Sequence, residues 1–200
     1  AGDLMFFPSG GDFTIDDIIK SFQFQKPTSA FRTKFDYDNL LYIVAGEVVN
    51  RVSDIPWDQF VQDRIMKPLA MNNSAGLYTN LENKNNVAEA HIIVENEVMQ
   101  IDGYDESASI GAAGGIYSSV NDMTKWMLMH LNDGLYNGEE RLISSKNHNE
   151  MWEAKTNMYF NANPEGLYKT HYRSYGLGWF LQDKNGYCTV SHTGGLAGML

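Results

Sequence analysis

A single cysteine, Cys188, occurs in 200 residues. No internal disulfide can form from it and no cysteine-rich metal site can be built, so its expected role is that of a small residue in a strand. Cations are also scarce: 15 Lys and Arg against 25 Asp and Glu give a formal net charge of −10. Binding a nucleic-acid backbone needs clustered Lys and Arg, and these are scattered, so no nucleic-acid partner is expected. The acidic excess reads as a solubility feature. No run approaches the roughly 18 apolar residues of a membrane span, so no membrane insertion is expected in these residues. The opening AGDLMFFPSGG lacks the basic and apolar regions of an export signal and reads as a mid-protein loop. The closing GGLAGML stops inside an apolar run, so both ends are expected to be cuts in a longer chain.

Several chemistries are missing as patterns. The five histidines, His91, His130, His148, His171 and His192, form no H-E-x-x-H and no close grouping with acids, so no metal is expected. There is no G-x-x-x-x-G-K-[ST] and no G-x-G-x-x-G opening a helix, which leaves nucleotide cofactors without a seat; no cofactor is expected. G-x-S-x-G is absent, and no Ser or Thr has a Lys three residues on. The nearest arrangement, Ser29-Ala30-Phe31-Arg32, ends in an always-protonated guanidinium that cannot serve as base. No nucleophile is expected from this chain.

What is present is a helical texture that changes near residue 175. Thr14-Ile15-Asp16-Asp17 is a capping box that predicts a short helix to about Gln23, ended by Pro27, with residues 26–36 extended. Leu40, Leu41, Val44, Ala45, Val48, Val49 and Val52 recur at helical spacing and predict three to four turns from Asn39. Pro56 opens a second amphipathic helix that closes at Lys67-Pro68. Residues 72–87 are Asn-rich and read as a surface loop, and 90–101 as a small hairpin. Ser119 and Asp122 suggest another capping box, before a helix whose buried face is marked by Met123, Trp126, Met127, His130 and Leu131. His130 there reads as a core histidine. A further helix is predicted from Ser144 or Ser145 to about Lys155, followed by a long polar connection over 156–174. YGLGWFLQ and YCTVSHTGG flank Asp183-Lys184-Asn185-Gly186, which is strand, turn, strand. The fold class is therefore α+β, with residues 1–174 a mainly helical subdomain and 175–200 a hairpin of an antiparallel sheet whose other strands lie outside the chain.

Three stretches carry candidate chemistry. Tyr37-Asp38-Asn39 precedes a helix, where the phenol could exchange a proton and Asn39 could bond a substrate amide. Gly111 to Gly115 lets backbone pass close to a neighbour. In His192-Thr193-Gly194-Gly195, Thr193 offers a hydroxyl, and the glycine backbone can approach a bound carbonyl and leave an N–H for an oxyanion. Each also has a bland reading, as packed ring and cap or as strand and turn.

In combination, residues from about 30 to 200 resemble the serine β-lactamase-related family of class C β-lactamases, D-alanyl-D-alanine carboxypeptidases, D-aminopeptidases and related esterases. Tyr37-Asp38-Asn39 resembles its Y-x-N, with Tyr42 and Gly46 following. Pro68-Leu69-Ala70-Met71 is similar to its Pro-Leu-Gly-Met, with Ala70 for Gly. Residues 112–119 with Asp122, and Tyr175 to Trp179, resemble two further segments; His192-Thr193-Gly194 stands where the family has K-T-G or H-x-G.

The resemblance implies a β-lactamase/penicillin-binding-protein-like fold, in part, and hydrolysis of an amide or ester through an acyl-enzyme. It gives Tyr37 the proton-transfer role, Asn39 the acyl side chain, the Gly195 N–H half of an oxyanion hole, and His192 the place of a lysine near a substrate carboxylate. A histidine is mostly neutral at pH 7, which favours a peptidase or esterase of D-amino-acid substrates over a β-lactamase. The family's S-x-x-K is expected upstream of Ala1, and residues 1–200 alone are expected to be inert. The expected partner is a small-molecule or peptide substrate, the setting a bacterial periplasm or cell surface; no oligomeric state is implied. The alternative is a non-catalytic binding or scaffold module.

Overall fold

Thr14 starts the first helix as its side chain dictates. Its hydroxyl accepts the Asp17 N–H while the Asp17 carboxylate accepts the Thr14 N–H, closing both halves of the box around α1, Ile15–Ser21. A 3₁₀ turn, Phe22–Phe24, continues it. The computed structural model describes residues 14–103, 111–161, 166–196 and 198–199, which form two compact units. Expectations for residues 1–13 and for Ser109-Ile110 fall outside them.

The first unit comprises the described parts of Ala1–Gln25, Asp38–Leu128 and Gly194–Leu200. Asp38 caps α2, Asn39–Ser53, by accepting the Leu40 N–H at 2.9 Å, and Asp54 ends it in the left-handed region. Leu40 and Ile43 of α2 and Ile18 of α1 are buried together, with Ile15, Phe22 and Ala113 against them. Burying such side chains stabilises the fold by about 1.5–3 kcal/mol each.

The helix expected to run regularly to Lys67 does not. Only α3, Trp57–Val61, is α-helical, and Gln62–Met66 forms a π turn in which the Lys67 N–H reaches the Gln62 carbonyl. Pro68 supplies no N–H, so the last carbonyls take partners one residue further along, as when Met66 accepts from Met71.

Residues 72–87 are not wholly a surface loop, since Ser74, Ala75 and Gly76 are buried. Asp122, itself fully buried near the start of α5, Val120–Leu131, is the cause: its carboxylate accepts the Asn73 N–H at 2.7 Å, the Ser74 hydroxyl at 2.8 Å and the Lys125 ammonium at 2.9 Å. Burial alone would raise its pKa, and the bonds from Lys125, Ser74 and Asn73 outweigh burial and hold it below the usual carboxylate range. Ser119 accepts the Asp122 N–H, but the carboxylate serves these partners rather than closing the expected capping box. The predicted hairpin is present as β1, Ala90–Val94, and β2, Glu97–Ile101, with Glu95 and Asn96 both at positive φ. Among the described residues no helix is long and apolar enough to cross a membrane.

The second unit comprises Lys26–Tyr37 and the described parts of Met129–Thr193. It holds the small pair β3, Leu135–Tyr136, and β4, Glu140–Arg141, then α6, Ser145–Met151, and a four-stranded antiparallel sheet. Its strands are β5, Thr156–Asn157, β6, Arg173–Tyr175, β7, Phe180–Lys184, and β8, Tyr187–Ser191, in that spatial order. Residues 156–174 are thus not only a connection, because the polar triplet Arg-Ser-Tyr pairs with β7 through backbone bonds. α6 stops at Met151 rather than near Lys155, where the Met151 carbonyl turns to accept the Leu177 N–H.

α5 also departs from its apolar spacing: Met129 and His130 are buried while Met123, Met127 and Leu131 are exposed. His130, 5% exposed, sits among the rings of His148 at 5.2 Å, Trp152 at 5.8 Å and Trp179 at 5.2 Å. Burial first, and His148 second, push its pKa from 6.5 down to about 4. The unfolded chain therefore takes up a proton as pH falls through 6.5, whereas the folded chain resists until about 4. The neutral ring's contribution, complete above pH 6.5, should decline by about 3 kcal/mol across that window. Urea unfolding at stepped pH should show this slope and show it flattened in His130→Phe; an unchanged slope in the variant would place the acid sensitivity elsewhere.

Candidate functional site

The β7–β8 turn fixes the second unit's candidate residues. Asn185 and Gly186 both take positive φ, as a two-residue hairpin turn requires, and the register follows: Lys184 opposite Tyr187, Leu181 opposite Val190, Phe180 opposite Ser191. His192 comes one residue past the end of β8. On the other side of β7, Tyr175 pairs with Phe180.

The bend joining β6 to β7 depends on glycine. A Cβ on Gly176 would overlap the Met151 carbonyl oxygen, and Gly178 has φ +82°. The Gly176 N–H reaches the Trp179 carbonyl at 2.8 Å, closing the bend. In Tyr175-Gly176-Leu177-Gly178-Trp179 the glycines therefore serve backbone approach, not a ligand.

Phe35 and Tyr37 lay their rings against this strand end. Phe35 lies 5.2 Å from Tyr175 and 6.1 Å from Phe180. Tyr37 meets Tyr175 edge-on at 6.3 Å and His192 at 5.8 Å, and remains 39% exposed. Tyr175 also packs edge-on against Phe180 at 4.9 Å, and Phe180 tilts against His192 at 5.2 Å. Offset and edge contacts of this kind are worth about 0.5–1.5 kcal/mol each beyond their buried area. The Arg173 guanidinium lies 5.1 Å from the Phe180 ring centre.

His192 is polar-bonded at both ring nitrogens: Nε2 lies 3.0 Å from the Tyr175 hydroxyl and Nδ1 lies 2.6 Å from the Thr193 carbonyl oxygen. The second unit thus brings Tyr37 and His192 into one aromatic cluster. Thr193, in the same unit, is exposed. Asn39, Gly194 and Gly195 belong to the first unit. There Asn39 is the first residue of α2 and half-buried; Gly194 and Gly195 are exposed, and a Cβ on Gly194 would meet nothing within 4 Å.

Tyr175 was not singled out from the sequence as a site residue. The signal was available: counting back from Asn185-Gly186 sets Phe180 against Ser191, and the Gly-Leu-Gly bend returns Tyr175 beside Phe180. A second imidazole–carboxylate pair stands apart from this cluster. Asp183, buried in β7, accepts the His171 N–H at 2.6 Å, His171 Nδ1 at 2.6 Å and the Tyr172 N–H at 3.1 Å. The His171 backbone bond, then its side-chain bond, hold that carboxyl at about 2. Its bonds tie residues 171 and 172 to the sheet. Among the described residues no three His, Cys, Asp or Glu converge as a metal site.

The family model described as Beta-lactamase matches residues 3–200. This chain belongs to the Beta-lactamase family. Its fold is that of the octameric penicillin-binding protein homologue from Pyrococcus abyssi, with a TM-score of 0.72 at 21% identity over 96% of this chain and 41% of that one. A D-stereospecific amidohydrolase from Streptomyces sp. gives a TM-score of 0.72 at 22% identity over 98% of this chain and 55% of that one. An unguisins hydrolase of Aspergillus campestris is 23% identical over 206 residues, covering 96% of this chain and 35% of that protein. The chain spans 15–38% of the length of the curated relatives it matches. The α+β architecture of this Beta-lactamase family member is that of its structural neighbours.

The geometry separates two kinds of glycine. Gly176→Ala should destabilise the protein by about 1–3 kcal/mol through overpacking, whereas Gly194→Ala should change stability by less than about 0.5 kcal/mol. Urea midpoints measured at constant m value test the difference, and equal costs at the two positions would refute it.

Proposed function

We propose that this Beta-lactamase family chain is the proton-transfer and substrate-binding part of a serine hydrolase that acts through an acyl-enzyme on an amide or ester of a D-amino acid or D-peptide. The observation that carries the reading is the placement of Tyr37, a partly exposed phenol whose ring packs against His192 and Tyr175 at the end of the β6–β8 sheet. A phenol so held keeps a fixed position while its edge stays open to solvent, as a proton-transfer group needs. The names of similar proteins support the reading: an unguisins hydrolase supports hydrolysis, and a D-stereospecific amidohydrolase supports an amide as its target.

In this reading the nucleophile comes from an S-x-x-K segment, which residues 1–200 do not contain. The serine oxygen adds to the substrate carbonyl, and its proton passes by way of Tyr37 and the lysine to the leaving nitrogen or oxygen as that bond breaks. The Gly195 N–H, with a second donor, holds the developing oxyanion. Asn39 binds the acyl side chain, Thr193 and Gly194 line the carbonyl's approach, and water then releases the acid. The 200 residues alone are expected to turn over nothing.

The alternative is a binding module that keeps these residues without the chemistry. Incubating the full-length protein with D-phenylalanine methyl ester, and following both product and a covalent acyl adduct by mass spectrometry, separates the two. Turnover with an adduct is expected, and Tyr37→Phe should lower kcat by at least ~100-fold with the fold intact. Absence of both turnover and adduct in the wild-type full-length protein would favour the binding module, and near-normal turnover in Tyr37→Phe would remove Tyr37 from the chemistry.

A further inference from the structure

The β1–β2 hairpin leaves its apolar side chains in the open. Ile92, Val94 and Met99 share one face and Ile93 and Val98 the other, and all five are exposed, Ile93 to 73% and Val98 to 69%. Within the hairpin only Ala90, at its base, is buried. A two-stranded ribbon is marginal by itself in water, and this one brings little cover of its own.

The pairing of the two strands determines which backbone groups face outward. Glu95 and Asn96 form a two-residue turn, so Val94 and Glu97 beside it bond to each other, and bonded pairs then alternate with unbonded ones. Ile92 with Met99 and Ala90 with Ile101 are the further bonded pairs. The N–H and C=O groups of His91, Ile93, Val98 and Gln100 therefore point away from the hairpin. On the β1 side the His91 N–H meets the Gly198 carbonyl at 3.0 Å, as this pattern requires. On the β2 side no backbone group among the described residues meets Val98 or Gln100. Edge strands are ordinarily guarded by Lys, Pro or a bulge; residues 90–101 contain no Lys and no Pro, and their register runs without a bulge.

We propose that β2 is a dimer seam, pairing antiparallel with β2 of a second copy of this chain about a two-fold axis at Met99. The occupant is a second copy because the strand is complementary to itself. In this register Val98 of each copy faces Gln100 of the other, and the outward N–H and C=O of both residues all find partners. Met99 meets Met99 of the second copy on the axis, so the Ile92–Met99 row continues across both copies. Glu97 faces Ile101, and no like charges stand opposed. An axis at Val98 would instead pair Gln100 with the turn residue Asn96, and one at Gln100 would pair Val98 with Asp102, beyond the strand.

Sedimentation equilibrium of the full-length protein tests the seam. A dimer is expected, and it should tighten as salt rises from about 0.05 to 0.5 M, since screening relieves the repulsion between two acidic copies. Gln100→Pro removes one outward N–H and no bond within the hairpin, while Met99→Lys sets two ammonium groups face to face on the axis. Each should weaken the dimer by at least ~10-fold. The Cα atoms of an unbonded antiparallel pair lie about 4.5 Å apart, within reach of a disulfide. In a Cys188→Ser background, Met99→Cys should therefore oxidise to a covalent dimer much faster than Val98→Cys.

Should Gln100→Pro fail to fold, Met99→Lys and the two cysteine variants still decide, because both positions are exposed in the single copy. A dimer that both charge and proline variants leave intact would overturn the proposal, as would faster crosslinking through Val98→Cys. A full-length protein that stays monomeric at all concentrations would overturn it too. Hydrogen exchange would then tell whether another part of the same chain protects the Val98 and Gln100 amides.

Discussion

The arrangement of the second unit depends on the register of one hairpin. Side chains alternate faces along a strand, so slipping β7 against β8 by a single residue would send Leu181 and Asp183, now buried, outward. Phe180 would go to the other face with them, and the ring that joins Tyr175 to His192 would be gone. What prevents the slip is small: two turn residues with positive φ, and a buried carboxylate on the same strand. Asp183 takes three hydrogen bonds from residues 171 and 172, and a one-residue slip would turn it to the other face and break them. An acid within a strand, unhelpful by propensity, becomes a lock on pairing.

The first unit is fixed by the same kind of device. Asp122 is fully buried and joins the start of α5 to Asn73 and Ser74, 49 and 48 residues earlier in the chain. Close backbone approach does the remainder. A Cβ on Gly46 would overlap that of Ala112, and one on Gly115 would lie 2.7 Å from the Gly111 Cα. The small-residue segment after Gly111 is thus explained by packing within the unit, and it needs no substrate to account for it.

How much of this was legible in the sequence follows from how local each signal is. The Thr14 box, the helix from Asn39 and the Asn185-Gly186 hairpin were all readable, because each is decided by residues within a few positions of one another. The π turn before Pro68 and the strands β5 and β6 were not. Their partners lie elsewhere: Arg-Ser-Tyr becomes a strand because β7 is beside it, and nothing in those three letters says so. The face of α5 was misread for a similar reason. Apolar spacing assigned Met127 and Leu131 inward, while the polar contacts of Asp122 set a different rotation. Among the candidate site residues, Tyr37 and His192 were recognisable by type and context, but Tyr175 passed as a strand residue until the register placed its hydroxyl at His192 Nε2.

That last contact bears on how the His192 ring is held. A lysine there would bring a flexible, strongly hydrated point charge with three donors. An imidazole brings two nitrogens in one plane, and in this chain a backbone carbonyl and a phenol account for both. The His192 ring, though solvent-exposed, is tilted against Phe180 at 5.2 Å and against Tyr37 at 5.8 Å, so its orientation follows from the strand end on which it stands.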